Sequence, residues 1–385
     1  MNTIKKLVLS LTTIPLVGFL AASATTPSIE DWYEEQVEDW SEEAPPERYL
    51  QMRTLNPEWD FMARTFLSLT LAERALADPL EVPRALDTLD AIITDTLAAE
   101  AAHGPSEYLL PYAKHAPFLG GGRSLFVDGE ILVMLGARRL VSGDAWGEEM
   151  DARASLVTES LGRSSDLPIA ESYPNEGWMF CHVMAMIGLR MHEVTNDADH
   201  SALTERFVAS VKSSLTHSGT GMMLSEFDMT GRPLDGPEGS SIWFTSVGML
   251  LLDPEFAHRQ YALAEASLGD SLLGMGYARE WPSGYEGPVD IDSGPLVPFI
   301  NASASSSGFA LLASQAFSDQ TWNQQLHRAL GAAFLIMKLD RSLKAAADNP
   351  VGQGVVLWGE AFGPVWERLD RTPVTADAGL PASGR

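Results

Sequence analysis

Five loops rich in Gly, Pro, Tyr and acidic side chains punctuate this chain at a nearly even interval: His103 to Arg123, Arg163 to Gly177, Ser218 to Gly239, Gly274 to Pro295 and Lys338 to Gly354. Their midpoints fall roughly 55–60 residues apart, the length of two helices, a short turn and one long connection. Each period therefore reads as a helical hairpin. Between the loops, Met62, Phe66 and Leu69, and later Met179, Val183, Met186, Ile187 and Val194, keep helical spacing. Strand signals are sparse, and Met222 to Phe227 with its turn at Gly231, and Ser342 to Ala346, read as short hairpins. Repeated hairpins of this length predict an all-α chain, an α/α toroid of about six helical hairpins with short β-hairpin insertions. The alternative is an open helical solenoid. In a closed ring, inner and outer helices alternate, so every long outer-to-inner connection emerges at the same end. The acids and polar aromatics of the loops then gather on one rim, where a pocket belongs.

The ends of the chain lie outside this pattern. Residues 1–24 read as a secretory leader, with Lys5 and Lys6 as the basic region, Leu7 to Leu20 as the apolar stretch and Ala22-Ser23-Ala24 as the cleavage site. The protein is thus expected to be exported, periplasmic or extracellular, with membrane tethering by an uncleaved N-terminal segment as the alternative. Residues 25–55 read as an acidic peripheral helix (Ile29 to Glu43) and a linker opened by Pro45-Pro46, residues 56–370 as the toroid domain, and residues 371–385 as a flexible tail. Of the 385 residues, 45% are hydrophobic and 9% aromatic, enough for a large core. Lys and Arg total 26 against 52 Asp and Glu, a net charge of −26, which disfavours nucleic acid as a partner. A single cysteine, Cys181, excludes an intrachain disulfide and a Cys-rich zinc site.

The candidate chemistry sits in and just after the loops. Loop one carries Tyr108, Tyr112, Lys114 and His115, then Gly120-Gly121-Gly122-Arg123, whose glycines read as close backbone packing, and leads to Asp128-Gly129-Glu130 at a helix start. Loop two is the densest cluster, with Glu171, Ser172, Tyr173, Glu176, Trp178, Cys181 and His182. Glu176 and Cys181 approach one pocket only if a helix begins near Gly177, and His182, about 100° round from Cys181, is expected to serve a neighbouring helix. Loop three places Glu238 before a helix that carries Trp243. Loop four adds Tyr277, Arg279, Glu280, Trp281, Asp290 and Asp292. Asp290 and Asp292 lack the further oxygen donors of a calcium loop, so no metal site is expected. The serine-hydrolase elbow, the HExxH helix and the dinucleotide fingerprint are missing from the sequence, which leaves proton transfer by carboxyl, thiol and phenol groups without a cofactor.

From about Phe126 to Leu268 the chain resembles the linalool dehydratase/isomerase family. The resemblance rests on Val127 to Gly136, on Ser172 to Cys181 and the helix after it, and on Leu252-Asp253-Pro254-Glu255-Phe256 with the tyrosine-bearing helix that follows. It implies a periplasmic α/α barrel whose cofactor-free site removes or adds water at an alcohol carbon and shifts a double bond. It also implies a homo-oligomer in which a neighbouring subunit closes the rim. The family's two cysteines fall on Ser172 and Cys181, and its histidine on Glu130, so two of the three reactive groups are exchanged here.

The expected activity is therefore that of a lyase or isomerase acting on a small-molecule substrate. Its proton-transfer residues are Glu130, Cys181 and Glu176, and its substrate-binding residues are Ser172, Tyr173, Trp178, Glu238, Trp243, Tyr277, Trp281, Asp292 and His115. Two readings compete with it. One is a carbohydrate-active enzyme, a hydrolase or epimerase, pairing Glu176 or Glu238 with Asp292 at about 5–9.5 Å. The other is a non-catalytic ligand-binding protein.

Overall fold

The computed structural model describes residues 29–370 apart from 43, 120–121, 164–165, 286–295, 298–299 and 340–348. The expected leader, the C-terminal tail, Gly120-Gly121, Asp290, Asp292 and the Ser342 to Ala346 hairpin lie outside the described residues.

Six helices form an inner layer: α3 (Pro57–Ala77), α5 (Leu125–Val141), α7 (Met179–Asn196), α9 (Gly239–Met249), α11 (Ala304–Ala316) and α13 (Pro350–Ala361). Each packs on the next, and α13 returns to α3, so the ring is closed. Outside them, α4 (Val82–His103) packs on α3 and α5, α6 (Gly147–Gly162) on α5 and α7, α10 (Pro254–Leu268) on α9, and α12 (Gln320–Leu339) on α11. Helix α8 (Ser201–Ser214) returns the chain from α7. The segment expected as one peripheral helix and a linker forms two helices instead, α1 (Ile29–Glu42) and α2 (Glu47–Leu55). Helix α1 completes the outer layer against α4 and α13, burying Tyr33, Val37 and Trp40.

Small residues let the inner helices approach. A side chain at Gly129 would meet the Ala185 Cβ at 3.1 Å and its backbone at 3.2 Å, one at Gly188 would meet Leu132, and one at Gly136 would meet Met191. These pairs advance together along α5 and α7, so the two helices run parallel, as alternation of inner and outer helices requires. All the inner N-termini consequently share one end. Asn56, Ser124, Ser303 and Asn349 cap α3, α5, α11 and α13 by accepting backbone N–H bonds. Helices α7 and α9 start instead from a small antiparallel sheet, β1 (Gly177–Trp178), β2 (Glu226–Phe227) and β3 (Pro233–Asp235), with Gly231 at φ 81° in the turn between the last two. The expected hairpin is therefore present. Two further pairs, β4 (Gly269–Leu272) with β5 (Met275–Ala278) and β6 (Leu296–Val297) with β7 (Ala302–Ser303), lie at the two ends of loop four.

Deeper in the ring, five inner helices each supply one ring to an aromatic cluster: Phe66, Phe180, Phe244, Phe309 and Trp358, with neighbouring centroids 4.1–6.1 Å apart. Only α5 adds none. The last helix, α14 (Pro364–Asp370), packs on both α3 and α7 and closes the opposite end. The Trp366 Nε1–H donates to the Val247 carbonyl, Arg190 donates to the Leu369 carbonyl, and the Glu73 carboxyl group accepts the Gly363 and Val365 N–H groups. Among the described residues no helix is long and apolar enough to cross a membrane.

Because Gly129 faces Ala185 backbone that has no room to yield, Gly129→Val is expected to lower unfolding free energy by about 1–3 kcal/mol in chemical denaturation. Gly162, with open space around it, is the control: Gly162→Ala is expected to stabilise by up to about 1 kcal/mol.

Candidate active site

At the open end, loop two is tied to the first turns of α3 and α5. The Leu125 N–H donates to the Glu171 carbonyl at 2.8 Å and the Ser124 hydroxyl to the Ser172 carbonyl at 2.6 Å. The buried Tyr173 hydroxyl donates to Glu58 in the first turn of α3 and accepts the Leu110 N–H, so its proton is committed to the carboxylate. Tyr112 stacks on Tyr173 at 5.3 Å and donates to Glu176 at 2.7 Å. Burial and the adjoining carboxylates, Glu58 for Tyr173 and Glu176 for Tyr112, push both phenols well above their ordinary range. Both stay protonated donors.

Glu130, in the second turn of α5, is fully buried, with the Thr65 hydroxyl of α3 as its hydrogen-bonding neighbour and no cation on it among the described residues. Two positions earlier the same helix treats an acid in the opposite way. Asp128 receives Arg153 at 2.6 Å and Arg123 at 2.8 Å, and those arginines also hold Glu100. Residues two apart point to opposite sides of a helix, so Asp128 meets the outer layer and Glu130 the ring interior. Burial raises the Glu130 pKa to about 8, and the Thr65 hydroxyl on α3, which bonds back to the Phe61 carbonyl, opposes this only in part. The carboxyl is thus a neutral acid at pH 7.

Cys181 stands one helix away, in the first turn of α7. It and Phe180 are buried at 6% and 9% exposure, while Met179, Val183 and Met184 keep none. Burial drives the thiol well above its ordinary value, the Ser172 hydroxyl bonded to it works against this, and Glu130 and Glu58 add to it electrostatically. Cys181 is therefore a protonated thiol, unsuited to act as a nucleophile. The structure brings Glu130, Cys181, Ser172 and Tyr173 together, and adds Glu58. From the register of α5 on α7, Glu130 lies about 7 Å deeper than Cys181.

The other expected site residues are dispersed. Glu176 is on the rim, half-buried and held by Tyr112, with its backbone paired to Tyr173. Trp178 is partly exposed at the start of α7, paired with Glu226. Glu238 ends the loop before α9, its N–H bonded to the Ser225 hydroxyl. Trp243 is wholly buried, bonded to Ser306 and edge-on to Tyr261 of the outer layer, so it packs the wall and does not line the rim. Tyr277 lies on the β4–β5 hairpin beside Asp270, against α12 and away from the inner helices' Glu130 and Cys181. Trp281 stacks on Tyr285 at 5.1 Å. His115 ends a short 3-10 turn (Pro111–His115), and its side chain lies outside the described residues, as does Asp292. His182 takes the Ala170 N–H on Nε2 and gives its Nδ1–H to the Trp178 carbonyl, and burial lowers its pKa to about 4. It is a neutral wall residue, turned from Cys181 as its position on the helix predicts.

Glu58 was not among the expected residues. An acid after Asn56-Pro57 reads as an ordinary first-turn charge, and its link to Tyr173 spans 115 positions. Glu171 and Glu280 prove to be framework acids, accepting the Leu119 and Asn175 N–H groups and the Ser240 N–H at the start of α9, respectively. Compared with known proteins, the chain matches neither a family model nor a curated protein.

Folding raises the Glu130 pKa from about 4.3 in an unfolded chain to about 8. The folded state therefore retains a proton that the unfolded state loses across this window, and stability falls as pH rises through it. Glu130→Gln removes the share of this dependence that Glu130 contributes and leaves that of the buried Glu73. The variant is expected to melt like the parent at pH 5 and to be more stable at pH 9, by up to a limit on the order of 4 kcal/mol.

Proposed function

We propose that the open end of the ring is an acid–base active site and that the protein is an exported lyase or isomerase of small alcohols and alkenes, similar in reaction to the linalool dehydratase/isomerase family. The observation that carries this reading is the wholly buried Glu130 carboxyl, which has no counter-charge among the described residues and is a proton donor near neutrality in a water-poor interior. Glu130 gives its proton to the substrate hydroxyl, the C–O bond breaks, and water leaves a carbocation beside the new carboxylate. Loss of a proton from the adjacent carbon to the Glu58 carboxyl, held by Tyr173, then forms the double bond. Read backwards, the same steps hydrate an alkene, and protonation and deprotonation at different carbons shift a double bond. Cys181 and Ser172 border the reacting carbon as neutral groups, which suits a cationic intermediate that a thiolate would trap.

The test uses 2-methyl-3-buten-2-ol as probe and measures diene release in the headspace. The rate is expected to be flat at low pH and to fall as pH rises through about 8, where Glu130 loses its proton. Glu130→Gln is expected to lose about 10²–10⁴-fold in turnover while remaining folded. A folded variant with unchanged turnover contradicts the assignment.

A further inference from the structure

Two imidazoles meet where α7 hands the chain on to α8. His192, one turn before the end of α7, is buried at 7% exposure, and its Nδ1 lies 2.9 Å from Nε2 of the half-buried His200. On the other side of the His192 ring, Nε2 lies 2.7 Å from the Asp151 carboxylate of α6, which also takes the Asn196 amide at 2.6 Å. A carboxylate only accepts, so in the neutral pair the His192 proton sits on Nε2 and the Nδ1 lone pair faces His200, which donates. His200 is also the residue that opens α8. Its carbonyl accepts the Leu203 and Thr204 N–H groups, and its own N–H donates to Glu193 at 2.8 Å. The seat of α8 is otherwise shallow: the helix buries only Phe207, Ser210 and Val211, and an open groove of about 450 Å³ separates Thr204, Val208 and Lys212 on its flank from Leu252.

The contact between the rings needs one N–H and one lone pair. A first added proton keeps it, as an imidazolium donating to an imidazole. A second puts N–H groups on both facing nitrogens and breaks it. The charged groups around the pair, among the described residues, are Asp151 from α6, Glu193 from α7 with Arg190 on its other oxygen, Asp199 in the turn, and Arg139 from α5, which reaches the pair through Asn196. Burial, and then His192, hold the His200 pKa below its ordinary value against the carboxylates of Glu193 and Asp199. Opening the turn returns His200 to the ordinary value of about 6.5. The open form therefore takes up a proton that the closed form refuses, and the closed form weakens as pH falls below that value.

We infer that the His192–His200 contact is an acid-released clasp, which holds the start of α8 against the ring at neutral pH and lets it go in mild acid. What it holds in place is the backing of loop two. Phe207 of α8 stacks on His182 with ring centroids 6.2 Å apart, and His182 in turn takes the Ala170 N–H and bonds the Trp178 carbonyl. The clasp lies outside the acid–base reading and requires no turnover.

Amide hydrogen exchange of the full chain between pH 7.5 and 5, corrected for the intrinsic pH dependence of exchange, tests it. Protection in residues 198–207 is expected to fall with pH, by up to about tenfold per pH unit, the limit for uptake of one proton, while the inner helices α3 and α5 keep theirs. His200→Gln, whose uncharged amide can donate to or accept from His192 Nδ1, is expected to make that protection independent of pH. Where this variant fails to fold, nitrogen-15 spectra of the parent's His192 and His200 rings decide, with two separate titration steps expected. A single step at the ordinary histidine value overturns the inference, as does protection in residues 198–207 that does not change with pH, or a fall that persists in folded His200→Gln.

Discussion

The structure depends on the close parallel approach of its inner helices at small residues. Gly129 against Ala185, Gly188 against Leu132, Gly354 against Phe66 and Gly359 against Leu312 let the inner layer close on itself. Closure in one direction has a further consequence. Every inner helix begins at the same end, so the capping residues and the acids that favour first turns collect around one opening. The other end, where the helices finish, is stopped by α14, with the Glu73 carboxyl group fixing its first turn and Trp366 reaching the Val247 carbonyl. One end is plugged by α14 and the other carries the loops.

Within that frame, helix α5 decides the chemistry. Its outward acid, Asp128, sits between two arginines and behaves as a structural ion pair, whereas Glu130, two positions on, is stripped of water and given no cation. A buried carboxyl without a counter-charge is costly to ionise, so it holds its proton until about pH 8. Glu58, shallow and bound to Tyr173, is in a different environment. Two carboxyls placed in unlike surroundings can take opposite parts in proton transfer. The protonated thiol between them reports both, since Glu58 and Glu130 each act on it.

Much of this architecture was legible in the chain itself. The even loop spacing marked the helical hairpins, and the structure sets Ser172 and Glu130 near Cys181. What failed was rotation about helix axes and the reach of loop four. Trp243 has the type and place of a pocket wall, yet its phase on α9 turns it to Tyr261 and Ser306. Tyr277 belongs to a hairpin whose period-two pattern was hidden among glycines, and pairing with β4 carries it to the outer layer. Glu58 was hidden for the opposite reason: a first-turn acid needs no special explanation until a tyrosine from a distant loop is found on it. Residues 47–55 were read as a linker because Pro45-Pro46 stops a helix, but a proline pair also starts one.

The most direct test is an infrared difference titration of the folded protein between pH 5 and 10, following the carbonyl stretch of buried protonated carboxyls. Glu73 is a second buried carboxyl with a pKa raised by burial to about 8, so the informative signal is the difference between the parent and Glu130→Gln. The expected result is a protonated-carboxyl band that disappears with a midpoint near pH 8 and is missing from the variant. A Glu130 band that has already gone by about pH 5, the ordinary carboxylate range, would contradict the central claim that the ring holds a neutral acid at its heart.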